Sequence, residues 1–520
     1  MAAAIGVMMP LLGACSFGPD SDDPAIVVGT TDAFVSSEAS PYPFDPAAAY
    51  DVGNWNVLRN AFHTLLRTPR GGSGAPVPDA ASRCGYTDRM AQRFRCELRD
   101  GLTFSDGTPL GPKEVKYSIE RVRDIEYQDG PYALLSNIDR IETDGSEIIF
   151  HLEKPDATFP YKLSTPAASI VNPKYYPKDK LRGGYEIDGS GPYVMEATVH
   201  DGVATALHFA RNESYRGSAH HQNGRVELRS FENSEKMMSA LKAGKIDVMS
   251  RTISPDQIDE LRSGDSVKLV DVPGLEIRYL GFNTDAPVVR KKKVRQAIAH
   301  VIDRGDLAKK VYPQSADLLY SMIPATVVGH VNSFFNKYGE PDLGRAEELL
   351  QEAGVETPVS LNLYYTTDHY GAATKKEFEV IRSQLNASGL FDVQVKGAEW
   401  SEFRPALSDR KYPVYGMGWF PDFPDPDSFV APFLDEGNFI NTPYVNQTIR
   451  GELIPRTRKV ADRSAAVIDY KEIQDIIADE VPFIPLWTAH QYTAMRDEIA
   501  GAEWAVNGAA ELQLWEFRRA

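Results

Sequence analysis

Residues Tyr412 to Phe433 read YPVYGMGWFPDFPDPDSFVAPF. The stretch starts as a strand. Val414, Tyr415 and Met417 favour extended backbone, and Gly416 and Gly418 leave room for another backbone to come close. It then turns rigid and irregular, because Pro421, Pro424 and Pro426 each fix φ and remove a backbone donor. That segment carries Trp419, Phe420 and Phe423 beside the carboxylates Asp422, Asp425 and Asp427. A strand end with an aromatic plate and a fixed carboxylate can hold an extended ligand bearing a positive charge. The same residues also read as a Pro-rich surface loop with solvated aspartates, since a loop carries function only where a scaffold positions it.

The chain around this stretch has 520 residues, too many for one hydrophobic core, which predicts two or three domains. Lys plus Arg is 56 and Asp plus Glu is 73, a net charge of −17. That balance excludes nucleic acid as a partner, because phosphate binding needs concentrated Lys and Arg. The one basic run, Arg290 to Lys293, leads into a helix and reads as its solvated start.

The amino terminus, MAAAIGVMMPLLGAC, is apolar, ends in Leu12-Gly13-Ala14-Cys15 and is followed by the polar SFGPDSDDP. It is too short to span a bilayer as a helix. It reads either as an export segment followed by a tether or as a buried strand. Beyond Cys15, the chain has two cysteines, Cys84 and Cys96. Turn signals lie between them and a strand pattern covers Arg93–Leu98, so the two could face each other across a hairpin or stand as free thiols.

Along the chain, AIVVGTT (25–31) reads as a buried strand and Val52–Leu66 has helical spacing. Pro112 opens a helix whose Arg121 and Arg123 are expected on the wet side, and Ile138–Leu152 reads as a strand pair. Gly189-Ser190-Gly191-Pro192-Tyr193 reads as a flexible turn. Leu275–Thr284 is a strand, Val294–Ile302 a helix, and Val481–Trp487 an extended run that Gln491–Met495 continues. Strands alternating with helices point to an α/β architecture. Enzyme signatures are missing: there is no GxSxG, Walker loop, HExxH or GxGxxG. Ser239–Lys242 matches SxxK without a KTG partner, and His220-His221 has no third ligand nearby. Neither a cofactor nor a metal is expected.

Several stretches, taken together, resemble family 5 extracytoplasmic solute-binding proteins of ABC importers, the oligopeptide- and dipeptide-binding group. They are LRDGLTFSDGTPL (98–110) continuing into VKYSIER (115–121), then GSGPY (189–193) and YLGFNT (279–284). VRQAI (294–298) with Ile302-Asp303-Arg304, and GW..D..DP (418–426), complete the set in the family's order. The resemblance implies a type II periplasmic-binding-protein fold, two lobes with a hinge plus a smaller inserted α+β domain. Residues 26–57, 185–280 and 490–520 would form lobe I, 58–184 the insertion, and 281–489 lobe II. Separately, residues 1–15 with their Leu12-Gly13-Ala14-Cys15 end resemble a bacterial lipoprotein signal, which implies that Cys15 is lipid-modified and that 16–25 is a tether. No Lys or Arg precedes the apolar run, as secretory signals normally have.

By the same resemblance the ligand is a peptide. Asp422 would pair with its α-ammonium, and Trp400 and Trp419 would stand in the cleft. The segments Tyr415, Met417 and Gly418 to Trp419, and Asp32, Ala33 and Phe34, would hydrogen-bond its backbone. The implied partners are an ABC permease and, through the lipid, the membrane; the binding protein itself would be a monomer. Some oligopeptide binders carry an arginine in the strand before the tryptophan, where this chain has Gly416 and Met417. Two alternatives stay open: the same fold holding an oligosaccharide or a metal chelate on Trp400 and Trp419, or a peptide-sensing receptor without transport.

Overall fold

A computed structural model describes residues 24–520 apart from 38–40, 73, 265–266 and 372. The apolar amino terminus with Cys15 lies outside the described residues. Nine strands of one twelve-stranded sheet carry the architecture. They are β1 (Ile26–Thr30), β2 (Val203–Arg211), β3 (Arg225–Ser230), β4 (Val248–Ser250), β5 (Val267–Phe282), β6 (Val359–Thr366), β7 (Phe391–Ala398), β8 (Val414–Trp419) and β9 (Phe483–Arg496). Their order across the sheet is β7-β6-β8-β5-β9-β4-β1-β3-β2.

The sheet runs through two lobes. Each lobe has its own parallel set, β1 with β3 and β4 in the first and β6 with β7 and β8 in the second. One apolar core gathers side chains from Leu275 to Trp487, and another gathers Ile26 to Val248 with Met495 to Phe517. The long antiparallel strands β5 and β9 cross from one lobe to the other. Their register breaks between Pro273 and Ile277, where residues 274–276 bulge opposite Ala489. A Cβ at Gly274 would lie 1.9 Å from the Ala489 carbonyl oxygen, so only glycine fits the bulge. Thr488 Oγ1 donates to the carbonyls of Gly274 and Glu276 at 3.1 and 2.9 Å, which satisfies backbone that the broken ladder leaves open.

Strand β5 begins eight residues before the expected Leu275. Its first half, Val267–Pro273, alternates between half-exposed and exposed positions, so it lacks the apolar run that marks the second half. The helix expected over Val52–Leu66 stops at Ala61, where Phe62 turns to extended backbone. Gly189 and Gly191 cause no loose turn. They wedge against that helix end, where a Cβ on either would lie 2.1 and 2.5 Å from Ala61 carbonyl atoms.

A four-stranded antiparallel sheet is built from Ala81–Tyr86, Arg93–Leu98, Glu147–Leu152 and Ile138–Asp144, in that order. Cys84 and Cys96 are disulfide-bonded across its first pair. The helix Pro112–Ile125 covers it. Arg121 of this helix is not on the wet side; it is 1% exposed. Its guanidinium grips buried Asp45 through two hydrogen bonds of 2.8 and 2.6 Å and donates to the carbonyls of Pro177 and Lys180. Helical spacing cannot report this, because the partner carboxylate lies 76 residues away. Replacing Arg121 with Met would leave Asp45 buried without its cation. This should cost roughly 3–5 kcal/mol, read as a clear fall in Tm, and an unchanged Tm would show that Asp45 is compensated by its backbone donors alone.

Candidate ligand site

The parallel strands of the second lobe, β6, β7 and β8, all end at one edge of the sheet, where α/β proteins hold ligands. Three segments meet there: Asp368–Tyr370 after β6, the helix start at Trp400 after β7, and Phe420–Asp427 after β8. Asp368 accepts from Trp400 N at 2.8 Å, which pins the helix Trp400–Ser408 to the end of β6. His369 stacks on Trp400 with ring centres 3.9 Å apart and planes 6° apart, and Phe403 lies parallel to Trp400 at 6.1 Å.

The Pro-rich loop is sorted by its three carboxylates. Asp425 is buried and takes Arg463 in a bidentate pair, at 2.7 Å from Nε and 2.9 Å from Nη2. Asp427 is buried beside Arg458, whose Nε lies 3.3 Å from its Oδ1. Asp422 has no cation within ion-pair distance among the described residues. Its Oδ1 accepts from Tyr50 Oη at 3.0 Å, and its backbone N–H donates to Ser428 Oγ at 3.1 Å. Burial pushes its carboxyl up from 3.8 to about 6, against the Tyr50 hydrogen bond and the Lys162 charge, both of which favour the ionised form.

Trp419 is buried. Its indole N–H donates to the Ser428 carbonyl at 2.7 Å, and Phe433 and Phe439 pack on it with centres 5.4 and 5.8 Å away. Tyr415 and Met417 are buried too, and the Tyr415 ring fills the space a side chain at Gly281 would need. The room that Gly416 and Gly418 leave is taken by side chains rather than by another backbone. A Cβ at Gly416 would lie 1.9 Å from Phe378, and one at Gly418 would lie 1.7 Å from Arg278 Nη1.

Arg278 was not legible as a site residue, and it brings a cation to this edge from the strand beside β8. It sits on β5, paired directly opposite Gly418 of β8. Its guanidinium lies 3.8 Å above the Tyr370 ring and 5.3 Å from the Trp487 ring. Nη2 pairs with Glu276 at 2.6 Å, while Nε and Nη1 have no hydrogen-bond partner. Tyr370 Oη donates to the Gly418 carbonyl at 3.2 Å and closes over the group. Glu377, behind it, accepts from Tyr312 Oη and Trp487 Nε1, each at 2.9 Å. The signal in the sequence was Glu276 and Arg278, two charges on one face of an otherwise apolar buried strand.

In the first lobe, Asp32 follows β1. Its side chain is held by Thr30 Oγ1 at 2.7 Å and by Arg251, its N–H by Thr30 Oγ1, and its carbonyl by Ser230 Oγ at 2.6 Å. Phe34 is buried and gives its carbonyl to Tyr185. Ala33 between them is exposed. Residues 50–53 link the two edges, with Gly53 packed on Asp32 and Tyr50 bonded to Asp422. His221, the other residue of the His220-His221 pair's loop, is committed to the Pro192 carbonyl at 2.7 Å.

A two-lobed α/β protein with a charged, aromatic-lined edge between its lobes is a binding protein in form. The family model described as "Bacterial extracellular solute-binding proteins, family 5 Middle" matches residues 75–441, and the chain belongs to that family. Its members bind solutes outside the cytoplasm and are not enzymes, as the lack of enzyme signatures predicted. The chain is 23% identical to the probable D,D-dipeptide-binding periplasmic protein DdpA of Escherichia coli, over 90% of each chain. It is 25% identical to di/tripeptide-binding protein 2 of Pseudomonas aeruginosa, over 90% of this chain and 91% of that one. The solved structure of DppA from Helicobacter pylori in complex with the peptide STSA superposes with a TM-score of 0.78 at 22% identity, covering 95% of this chain and 98% of that one. No helix among the described residues is long and apolar enough to cross a membrane.

The raised carboxyl of Asp422 has a signed consequence. Its protonation stabilises the fold fully below about pH 4, and that contribution is lost as pH rises through about 6. Asp422→Asn should therefore stabilise the closed, ligand-free form at pH 7.5, by up to roughly 3 kcal/mol, and change little at pH 4. Thermal unfolding of both proteins across pH 4–8 checks this; a variant less stable at pH 7.5 would show that Asp422 is not a strained charge.

Proposed function

We propose that this chain is the extracytoplasmic capture subunit of an ABC importer, taking short peptides between its lobes and delivering them to a permease. The observation that carries the reading is Asp422. Its neighbours Asp425 and Asp427 have arginine partners, and Asp422 alone of the three lies at the lobe junction with its counter-charge unfilled. A ligand α-ammonium supplies that charge. The names of the relatives, dipeptide- and di/tripeptide-binding proteins, support the peptide class. Arg278, with two unpartnered donors opposite Gly418, supports a ligand that also carries a carboxylate.

The backbone of Tyr415–Trp419 and of Ala33 would pair with the peptide main chain by strand addition. A division into 26–57 with 185–280 and 490–520, 58–184, and 281–489 would put these segments on facing lobes. Cys15 would carry the lipid that keeps a monomeric binding protein at the membrane. Sugar stacking has less support. His369 and Phe403 lie parallel to Trp400, while Phe433 and Phe439 pack on Trp419, so the rings a saccharide would need are already engaged.

Native mass spectrometry of the protein from Ser16, before and after denaturation, should release short peptides. Asp422→Asn should weaken their binding by about 30-fold or more, as expected for breaking a desolvated charge pair. Wild-type affinity should fall as pH drops below about 6, where Asp422 becomes protonated. A single non-peptide mass, or equal binding by Asp422→Asn, would overturn the reading.

A further inference from the structure

Tyr50 was marked by nothing in the sequence beyond its place before a helix. It immediately precedes Asp51, which caps the helix Val52–Ala61 by accepting from Asn54 N at 2.9 Å. Its ring rests against Trp55 of that helix with centres 5.4 Å apart. Trp55 is itself tied back to the Ala49 carbonyl at 2.9 Å, so residues 49–55 form one rigid corner of the first lobe. From that corner the Tyr50 ring meets Phe439 of the second lobe edge-on at 6.5 Å, and its hydroxyl donates to Asp422 Oδ1. Oδ2 of Asp422 makes no hydrogen bond among the described residues.

We propose that Tyr50 is a positioning residue that couples capture of an ammonium group to lobe closure, by holding Oδ1 of Asp422 while Oδ2 receives the ligand. This rests on the reading of Asp422 as the amine site. Tyr50 packs against the core of the first lobe, while Trp419 and Phe429 on either side of Asp422 belong to that of the second, so the two residues separate when the lobes open. In the open state water solvates the carboxylate. Closure strips that water, and the Tyr50 hydroxyl alone leaves a buried anion that lacks a cation. An ammonium on Oδ2 completes the site. Closure is then favourable with ligand and unfavourable without it, which is the differential affinity that any ligand-driven shift requires. The other charged groups facing this loop are committed elsewhere. Lys162 pairs with Asp156 at 2.6 Å, Arg463 with Asp425, and Arg458 with Asp427 and Asp435, while Tyr161 stacks on Phe423.

The test compares wild type, Tyr50→Phe, Asp422→Asn and the double variant. The ligand is a mixture of unprotected di- and tripeptides, with the N-acetylated mixture as control. Phe keeps the ring against Trp55 and Phe439, and an unchanged Tm confirms that the corner is intact. Tyr50→Phe should bind the unprotected mixture about tenfold more weakly, chiefly through faster dissociation. The pH below which binding is lost should move upward, because the hydroxyl helps to keep Asp422 ionised. The double variant should bind no worse than Asp422→Asn alone. If Asp422→Asn loses the unprotected peptides while Tyr50→Phe keeps the wild-type dissociation rate and pH midpoint, Tyr50 only packs and the proposal fails. If Asp422→Asn and wild type bind both mixtures equally, the amine site itself is wrong and the proposal falls with it.

Discussion

The bidentate pair between Asp425 and Arg463 is the constraint on which the site depends. Both groups are buried, and Arg463 also donates to the Thr457 carbonyl and to the Tyr470 hydroxyl. A carboxylate this deep is tolerable only because every favourable partner is present at once. Together with three prolines it fixes the backbone of a loop that has neither helix nor strand at its centre. Ser428 then takes the N–H of Asp422, and the Ser428 carbonyl takes the indole of Trp419. One satisfied charge thus holds a second, unsatisfied charge in place a few residues away. A flexible loop would turn Asp422 to water and give up the burial that raises its pKa.

The rest of the molecule brings partners to that point. Parallel strands in each lobe end at facing edges, and the two strands that cross between lobes break register at Gly274, where the Thr488 hydroxyl covers the exposed backbone. Deformation concentrates in those few residues while each core stays packed. A change in the angle between the lobes then parts Tyr50 from Asp422 but leaves the Asp425–Arg463 pair that fixes the Asp422 loop within the second lobe. Binding uses this freedom, since enclosing a ligand removes the water that would screen its charges.

Much of the fold could be read from local pattern. The family stretches are short, specific and in order, and Pro112, Asp144-Gly145 and the alternation of 138–152 announce their elements directly. What escaped were features set by distant partners. Arg121 sits on a helix face that spacing marks as polar, and only Asp45 makes it interior. The first half of β5 has no apolar run because it borrows its stability from β9. In the site, Asp422 stood out by its rigid loop, but the arginines that set Asp425 and Asp427 apart from it lie 38 and 31 residues further along. Arg278 was hidden because it reaches the site from the neighbouring strand. No reading of β8 alone could find it.

That cross-strand placement makes residues 278 and 418 mutually exclusive. The guanidinium occupies the volume over Gly418, so the two positions share one side chain's worth of space. A cation can be contributed there by either strand, never by both. Any side chain placed at 418 would have to displace the Arg278 guanidinium from the Tyr370 ring and from Glu276.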